Sequence, residues 1–482
     1  VNQGACAKAP KALLNETETF PRVGTCAMKK SQFLLSASLL AGACSAPQAH
    51  LEPIPVLSAT EWSAPAPQSG DPVSAADFWA AMGSPQLRSL VQKAIAANPD
   101  IAAAGARIEQ ARARAASARA LLQPTLGFSA GGSASLRKLG VRPDTASSAG
   151  LSASYVVDLF GRGKALTSAA RERVRQSELE RRAVALDVAV EVARDYLQYA
   201  ALSDRVAIAQ RNRDTALELQ RIIDIQVREG VASRLEQSQQ RTEVANQEAA
   251  IEALVQARKL TLDALAALTG EEAPRFALAP ASLSEFSLPT LRPDQPAQLV
   301  TRRPDVGAAE AAIAAASGDV TAARRAFLPS IVISSDAVGA ASLLDPLHAL
   351  LSVGSSLLAP IFSGGELKAK LRLSAAEQAE SVELYRKALL GALQETEDAL
   401  SSVSTSERRE AALRTAQAEA QTAADLAKTR YSLGYSDFQT VLDSRRSMLA
   451  AEDAHARAVA DRLDASIALY RAMGGAPADT GR

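Results

Sequence analysis

The sequence predicts a mainly helical chain with a small membrane β part, built from two copies of one helix, β-hairpin, long-helix and return-helix unit. Three observations carry this reading. Anchors recur in one order at nearly constant spacing. Asn98-Pro99-Asp100-Ile101 returns as Arg303-Pro304-Asp305-Val306, Leu122-Gln123-Pro124 as Phe327-Leu328-Pro329, and Phe160-Gly161-Arg162-Gly163 as Phe362-Ser363-Gly364-Gly365. Gly230 and Leu268-Thr269-Gly270 return as Gly434 and Ala472-Met473-Gly474, so the chain is a tandem duplication. Proline and glycine are absent from 164 to 229, and the matching stretch 366–433 is broken only by Gly391. Finally, each copy holds two short β-like runs of roughly the ~9–11 residues with which a tilted strand crosses a bilayer.

Composition narrows the class. The 482 residues carry 53 basic and 53 acidic side chains, which speaks against nucleic-acid binding. A hydrophobic fraction of 47% excludes wholesale disorder, while only 4% aromatic residues imply a core of Ala, Leu and Val between close helices. After the first fifty residues there is no apolar run of about 18, so no spanning helix is expected there; a β-barrel stays open.

The N-terminus reads as an address. Residues 1–27 read as a start assigned too early, and Met28-Lys29-Lys30 followed by Phe33 to Ala43 reads as a signal peptide over 28–43. Leu40-Ala41-Gly42-Ala43-Cys44 resembles a bacterial lipoprotein box, with Ala41 where the pattern prefers Leu, Val or Ile. Cys44 is then the expected lipidation site; an ordinary signal peptide with an incidental cysteine is the alternative. Prolines 47, 53, 55, 65, 67 and 72 mark 44–84 as an extended lipid-anchored tether.

The first repeat is expected over 85–271 and the second over 295–475, with a Pro-rich connector at 272–294 and a tail at 476–482. In each, a helix starts after Asn98 or its counterpart, where Pro99 suits the first helical position, and stops before Pro124 or Pro329. Strands follow at about 125–134 and 150–160, then at about 329–339 and 351–362, with hairpin loops over 136–148 and 340–350. The proline-free stretches predict helices on the order of 100 Å long at ~1.5 Å per residue. Leu179, Ala183, Leu186, Val190, Ala193, Leu197 and Ala200 form a heptad seam on the first, and Leu413, Ala416, Ala420, Ala423 and Ala427 repeat it on the second. Gly230 and Gly434 are expected to turn the chain into return helices.

Enzyme motifs do not hold up. Gly127-Phe128-Ser129-Ala130-Gly131 matches G-x-S-x-G but lies inside an alternating strand rather than a strand-to-helix turn. Gly161-Arg162-Gly163-Lys164 lacks the first glycine of a phosphate loop. His50, His348 and His455 are far apart in sequence, and no cofactor or metal is expected.

Together these residues resemble the TolC/OprM outer-membrane efflux factors over about 75–475, with the lipidated NodT-type subunits of resistance-nodulation-division systems the nearest branch. The resemblance rests on Leu122-Gln123-Pro124 and Phe327-Leu328-Pro329 before the strands and Asp158 to Gly163 after them. It rests also on Gly230 to Ser233 at the first turn and on Arg430 to Gly434 through Asp443 at the second. Four strands cannot close a barrel, and an open edge is forbidden in lipid, so the chain must oligomerise. Two copies would give eight strands and a filled interior, three would give twelve and a lumen; the resemblance implies the homotrimer, a 12-stranded β-barrel continued by a long α-helical barrel.

It further implies an outer-membrane channel subunit of a tripartite efflux pump, a passive exit duct for drugs, solvents or similar small molecules. The implied partners are a periplasmic adaptor, an inner-membrane transporter of the resistance-nodulation-division type and outer-membrane lipid. The periplasmic gate would use Asp443, Arg446 and Tyr431, with Glu236 in the place of a first-repeat aspartate. A type I protein secretion duct and a periplasmic coiled-coil adaptor or scaffold are the competing readings.

Overall fold

The computed structural model describes residues 61–64, 73–135, 144–342 and 348–475. The expected signal peptide, Cys44, the loop tips 136–143 and 343–347 and the tail 476–482 lie outside the described residues. The elements run α1 (Phe78–Ala81), α2 (Pro85–Ala97), α3 (Pro99–Ala120), β1 (Thr125–Ser135), β2 (Asp144–Val157), α4 (Arg162–Arg228) and α5 (Arg234–Leu268). They continue with α6 (Pro296–Arg302), α7 (Pro304–Arg325), β3 (Ser330–Ser342), β4 (His348–Leu358), α8 (Glu366–Ser432) and α9 (Phe438–Ala472).

The repeat is visible in how helix ends are satisfied. Asn98 caps α3, its Oδ1 accepting from the backbone N–H of Asp100 (2.8 Å) and Ile101 (3.3 Å). Its Nδ2 donates to the carbonyl of Leu268, 2.9 Å away, at the end of α5. In the second copy Arg303 occupies that slot, and its Nη1 donates to the carbonyl of Ala472 (3.1 Å) at the end of α9. Each copy thus uses one side chain to satisfy an orphan carbonyl of its own return helix. Arg303 is 6% exposed and also binds Asp305 and Glu395, both at 2.7 Å.

The four strands form one antiparallel sheet in the order β1-β2-β3-β4. Its register enriches one face in apolar side chains and the other in serine, although Val156, Val332, Val338, Leu350 and Leu358 share the serine-bearing face. Leu126 pairs with Ala153, Phe128 with Leu151, Tyr155 with Ile333, Ala337 with Leu351 and Ile331 with Leu357, all on one face. Ser129, Ser152, Ser154, Ser334, Asp336, Ser352 and Ser356 line the other. The strands are longer at the hairpin end and shorter at the helix end than the sequence suggests. Asp144 to Ser148, expected as loop, pair with β1 as far as Ser135. At the other end β2 stops at Val157 because Asp158 turns to cap α4, accepting from the backbone N–H of Gly163 (3.0 Å) and Lys164 (2.9 Å). β4 stops at Leu358, just before Pro360, which has no N–H to pair.

Both long helices span 67 residues and both return helices 35. Gly391 does not interrupt α8. On α4 the expected seam packs inward: Val190, Ala193, Leu197 and Ala200 are buried, and Leu179, Ala183 and Leu186 half-buried. The seam on α8 differs from expectation. Ala416 and Ala423 are exposed in the single chain. The inward line of α8 runs instead through Glu410, Leu413, Gln417, Ala420, Ala424 and Ala427, the first and the last two buried and the others half-buried. A chain rich in alanine offers several overlapping heptad lines, and packing against α9 selects one.

Within 44–84, expected as a tether, the described residues join the core. Phe78 stacks on Tyr470 at 4.3 Å, and Trp79 meets the same ring edge-on at 4.9 Å. Trp62 Nε1 donates to the carbonyl of Asp294 (2.9 Å), and Glu397 accepts from the backbone N–H of Ala64 (2.7 Å). These contacts surround a core centred on Tyr196, Leu265, Leu400 and Ile467.

Candidate functional site

The far ends of the long helices form two equivalent turns. Gly230 and Gly434 both have φ 75°, a left-handed conformation that lets the chain leave the helix without a Cβ clash. Val231 N–H bonds back to the carbonyl of Gln226 (2.8 Å) and Tyr435 N–H to that of Arg430 (2.8 Å), so the two turns close by the same six-to-one bond. The return helices then start on different caps. Ser233 accepts from the N–H of Glu236 while the Glu236 carboxylate accepts from the N–H of Ser233 (2.6 Å), a reciprocal capping box. Asp437 caps α9 by accepting from the N–H of Thr440 (2.8 Å).

The four candidate gate side chains fall into two groups. Tyr431 packs on Phe438 with ring centres 5.6 Å apart, over a small core of Leu219, Ile223, Val441 and Leu442. Burial pushes the Tyr431 phenol up, and the charge and hydrogen bond of the neighbouring Glu236 add to it. Tyr431 and Glu236 therefore link the two turns of one chain. Asp443 and Arg446 sit 3.6 Å apart on an exposed face of α9. Asp443 also accepts from Gln439 Nε2 (3.0 Å), and Arg446 Nε donates to Glu243 on α5 (3.3 Å).

Part of this cluster does not stand out in the sequence. Glu243 is largely buried and faces Arg446, and it offsets the burial that lowers the neighbouring Arg445 guanidinium. Gln239 Nε2 donates to Gln439 Oε1 (3.3 Å), a second bond between α5 and α9. Asp224, held below the usual carboxylate range first by a hydrogen bond from Gln237, ties α4 to α5. A signal is present for Glu243: it lies seven residues after Glu236, so the two share one helix face near the turn.

Among the described residues, no helix is long and apolar enough to cross a membrane, and no cluster of His, Cys, Asp or Glu is placed to hold a metal. The sheet is the part with a bilayer-facing chemistry. The outer membrane efflux protein family model matches residues 90–271 and 296–475, which together make up most of the chain. The chain belongs to the outer membrane efflux protein family. It is 36% identical to the pyoverdine export outer membrane protein OpmQ of Pseudomonas aeruginosa over 92% of this chain and 97% of that one. It is 32% identical to the outer membrane protein OprJ of the same organism, over 93% and 97%. Its fold matches the open state of the MtrE outer membrane channel of Neisseria gonorrhoeae with a TM-score of 0.80 and 26% identity, over 90% of this chain and 98% of that one. This efflux protein is therefore an outer-membrane channel component and not an enzyme.

Proposed function

We propose that the chain is one of three identical subunits of the exit duct of a tripartite pump, passing small organic molecules across the outer membrane. The observation that carries this is the four-stranded sheet with unpaired edges on β1 and β4, set on helices of 67 residues. Three sheets joined edge to edge leave no open backbone in lipid and enclose the serine-rich face. The long helices then reach across the periplasm toward an adaptor and an inner-membrane transporter of the resistance-nodulation-division type. Cys44 carries lipid, and the turns at Gly230 and Gly434 form the closed end, with Tyr431, Glu236, Asp443 and Arg446 as the gate. The pyoverdine export protein among the relatives makes pyoverdine a substrate to test alongside drugs and solvents.

Heat-modifiable migration of the protein, after sucrose-gradient separation of membranes, tests the assembly. A trimer in the outer-membrane fraction is expected; a monomer in the soluble or inner-membrane fraction would overturn the reading. Cys44→Ala abolishes labelling by a palmitate analogue if that residue is the lipid site, while the trimer still assembles.

A further inference from the structure

Charge is unevenly distributed along this neutral chain. Where helices meet strands, over 114–124, 158–175, 319–329 and 359–372, there are twelve Lys and Arg against four Asp and Glu. Immediately beside them lies an apolar collar between strand ends and helix starts. Leu159 and Phe160 are exposed, Ile361 is 98% exposed and Phe362 91%. Aromatic and apolar side chains at the end of a membrane sheet mark the level of the lipid headgroups.

Some of the basic groups are committed internally. Arg173 pairs with Asp319, Lys370 with Glu366 (2.6 Å), and Arg325 donates to the carbonyl of Gly161 (2.6 Å). Lys164, Arg171, Lys368 and Arg372 are exposed and have no carboxylate partner among the described residues. Their placement follows the repeat. Lys164 and Lys368 are each the third residue of a long helix, counted from the left-handed Gly161 and Gly365. On α4, Thr167 faces α3, donating to the carbonyl of Ala118 (3.4 Å), and Ala169 lies against Gly318 of α7. Lys164, Arg171 and Arg175, at steps of seven and four, share the face between those contacts.

We propose that this belt binds the headgroups of anionic phospholipids in the leaflet facing the helices. Uncommitted cations one or two helical turns beyond an apolar collar are positioned where lipid phosphates lie, and each adds attraction that falls off within a Debye length. The proposal rests on the reading above, in which the sheet is in the membrane and the helices leave it on this side.

Native mass spectrometry of the full-chain protein in detergent, with phosphatidylglycerol or phosphatidylethanolamine of equal chain length, tests it. Wild type is expected to bind phosphatidylglycerol about tenfold more tightly, with the preference shrinking as salt is raised. The combined Lys164→Gln, Arg171→Gln, Lys368→Gln and Arg372→Gln variant should bring the two lipids within about twofold. Exchanging Lys and Arg at the same four positions should preserve the preference. So should neutralising Arg221, Lys387, Arg408 and Lys428, which lie far along the helices. A trimer with no preference for phosphatidylglycerol, or one whose preference survives the four glutamines, overturns the lipid site alone. A protein that is not an outer-membrane trimer overturns the functional reading and the lipid site with it.

Discussion

Arg303 shows how one residue can carry the weight of several. Its guanidinium satisfies the carbonyl of Ala472 and two carboxylates from a nearly buried position, joining α7, α8 and α9. Arg303→Ala removes a donor from all three acceptors, but Glu395 keeps Arg471 (3.6 Å), Asp305 keeps the N–H of Val306 (2.9 Å), and both carboxylates are partly exposed and recover water. A loss of about 1–3 kcal/mol is expected, read as a lower melting temperature of the protein in detergent. Asp195 behaves in the opposite sense. Burial, and secondarily the charge of Glu191, raises its carboxyl from 3.8 to about 6. A raised carboxyl favours the folded state at low pH and loses that contribution as pH rises from about 4 through about 6. Asp195→Asn should therefore raise the melting temperature at pH 7.5, by something on the order of 1 kcal/mol after solvent screening, and change little at pH 4. An equal effect at both pH values would show that the gain is not electrostatic.

Among the elements, glycine has opposite values at different places. Gly434 has φ 75° and open space where a Cβ would go, so Gly434→Ala costs only backbone strain, about 1 kcal/mol. Gly391 lies inside α8, also with open space, and Gly391→Ala should stabilise by up to about 1 kcal/mol. Thermal melts of the two variants are expected to shift in opposite directions. The turn at Gly434 is legible in the sequence because a helix stop is a local event, set by one residue's allowed φ. The seam on α8 is not. Leu413, Ala416, Ala420, Ala423 and Ala427 fit a heptad, yet within one chain Ala416 and Ala423 are exposed while Ala424 is buried. With alanine this frequent, the pattern alone does not say which line meets a partner.

For the whole molecule, the proposed gate is where single-chain geometry and assembly would meet. Arg446 lies between Asp443 on its own helix and Glu243 on α5, so within one chain a charge pair ties α5 to α9 near the turns. An exposed ion pair contributes only ~0.2–1 kcal/mol, and three symmetry-related sets together would hold a channel shut yet allow an adaptor to open it. Asp443→Ala combined with Arg446→Ala should raise single-channel conductance in planar bilayers and increase the vancomycin sensitivity of cells. Glu243→Gln should act in the same direction. Changing Glu407 and Arg408, farther along α8, should do neither; an intact trimer of unchanged conductance would reduce the tip charges to a solvated face.

The duplication, the two long helices, their glycine turns and the presence of bilayer-length strands are all legible in the residue order alone. Each is written in neighbouring residues: a missing proline, a glycine at a stop, an asparagine before a proline, alternation along a strand. What those elements do to one another waits on the folded chain. Only the register places Phe128 beside Leu151 and Ser152 beside Asp336, enriching one face in large apolar side chains and the other in serine. Only packing brings Glu243 to Arg446, 203 residues away, and gathers four separate basic segments at the ends of the sheet. Such pairings depend on distances between elements, and a linear pattern holds no distance longer than its own helix or strand.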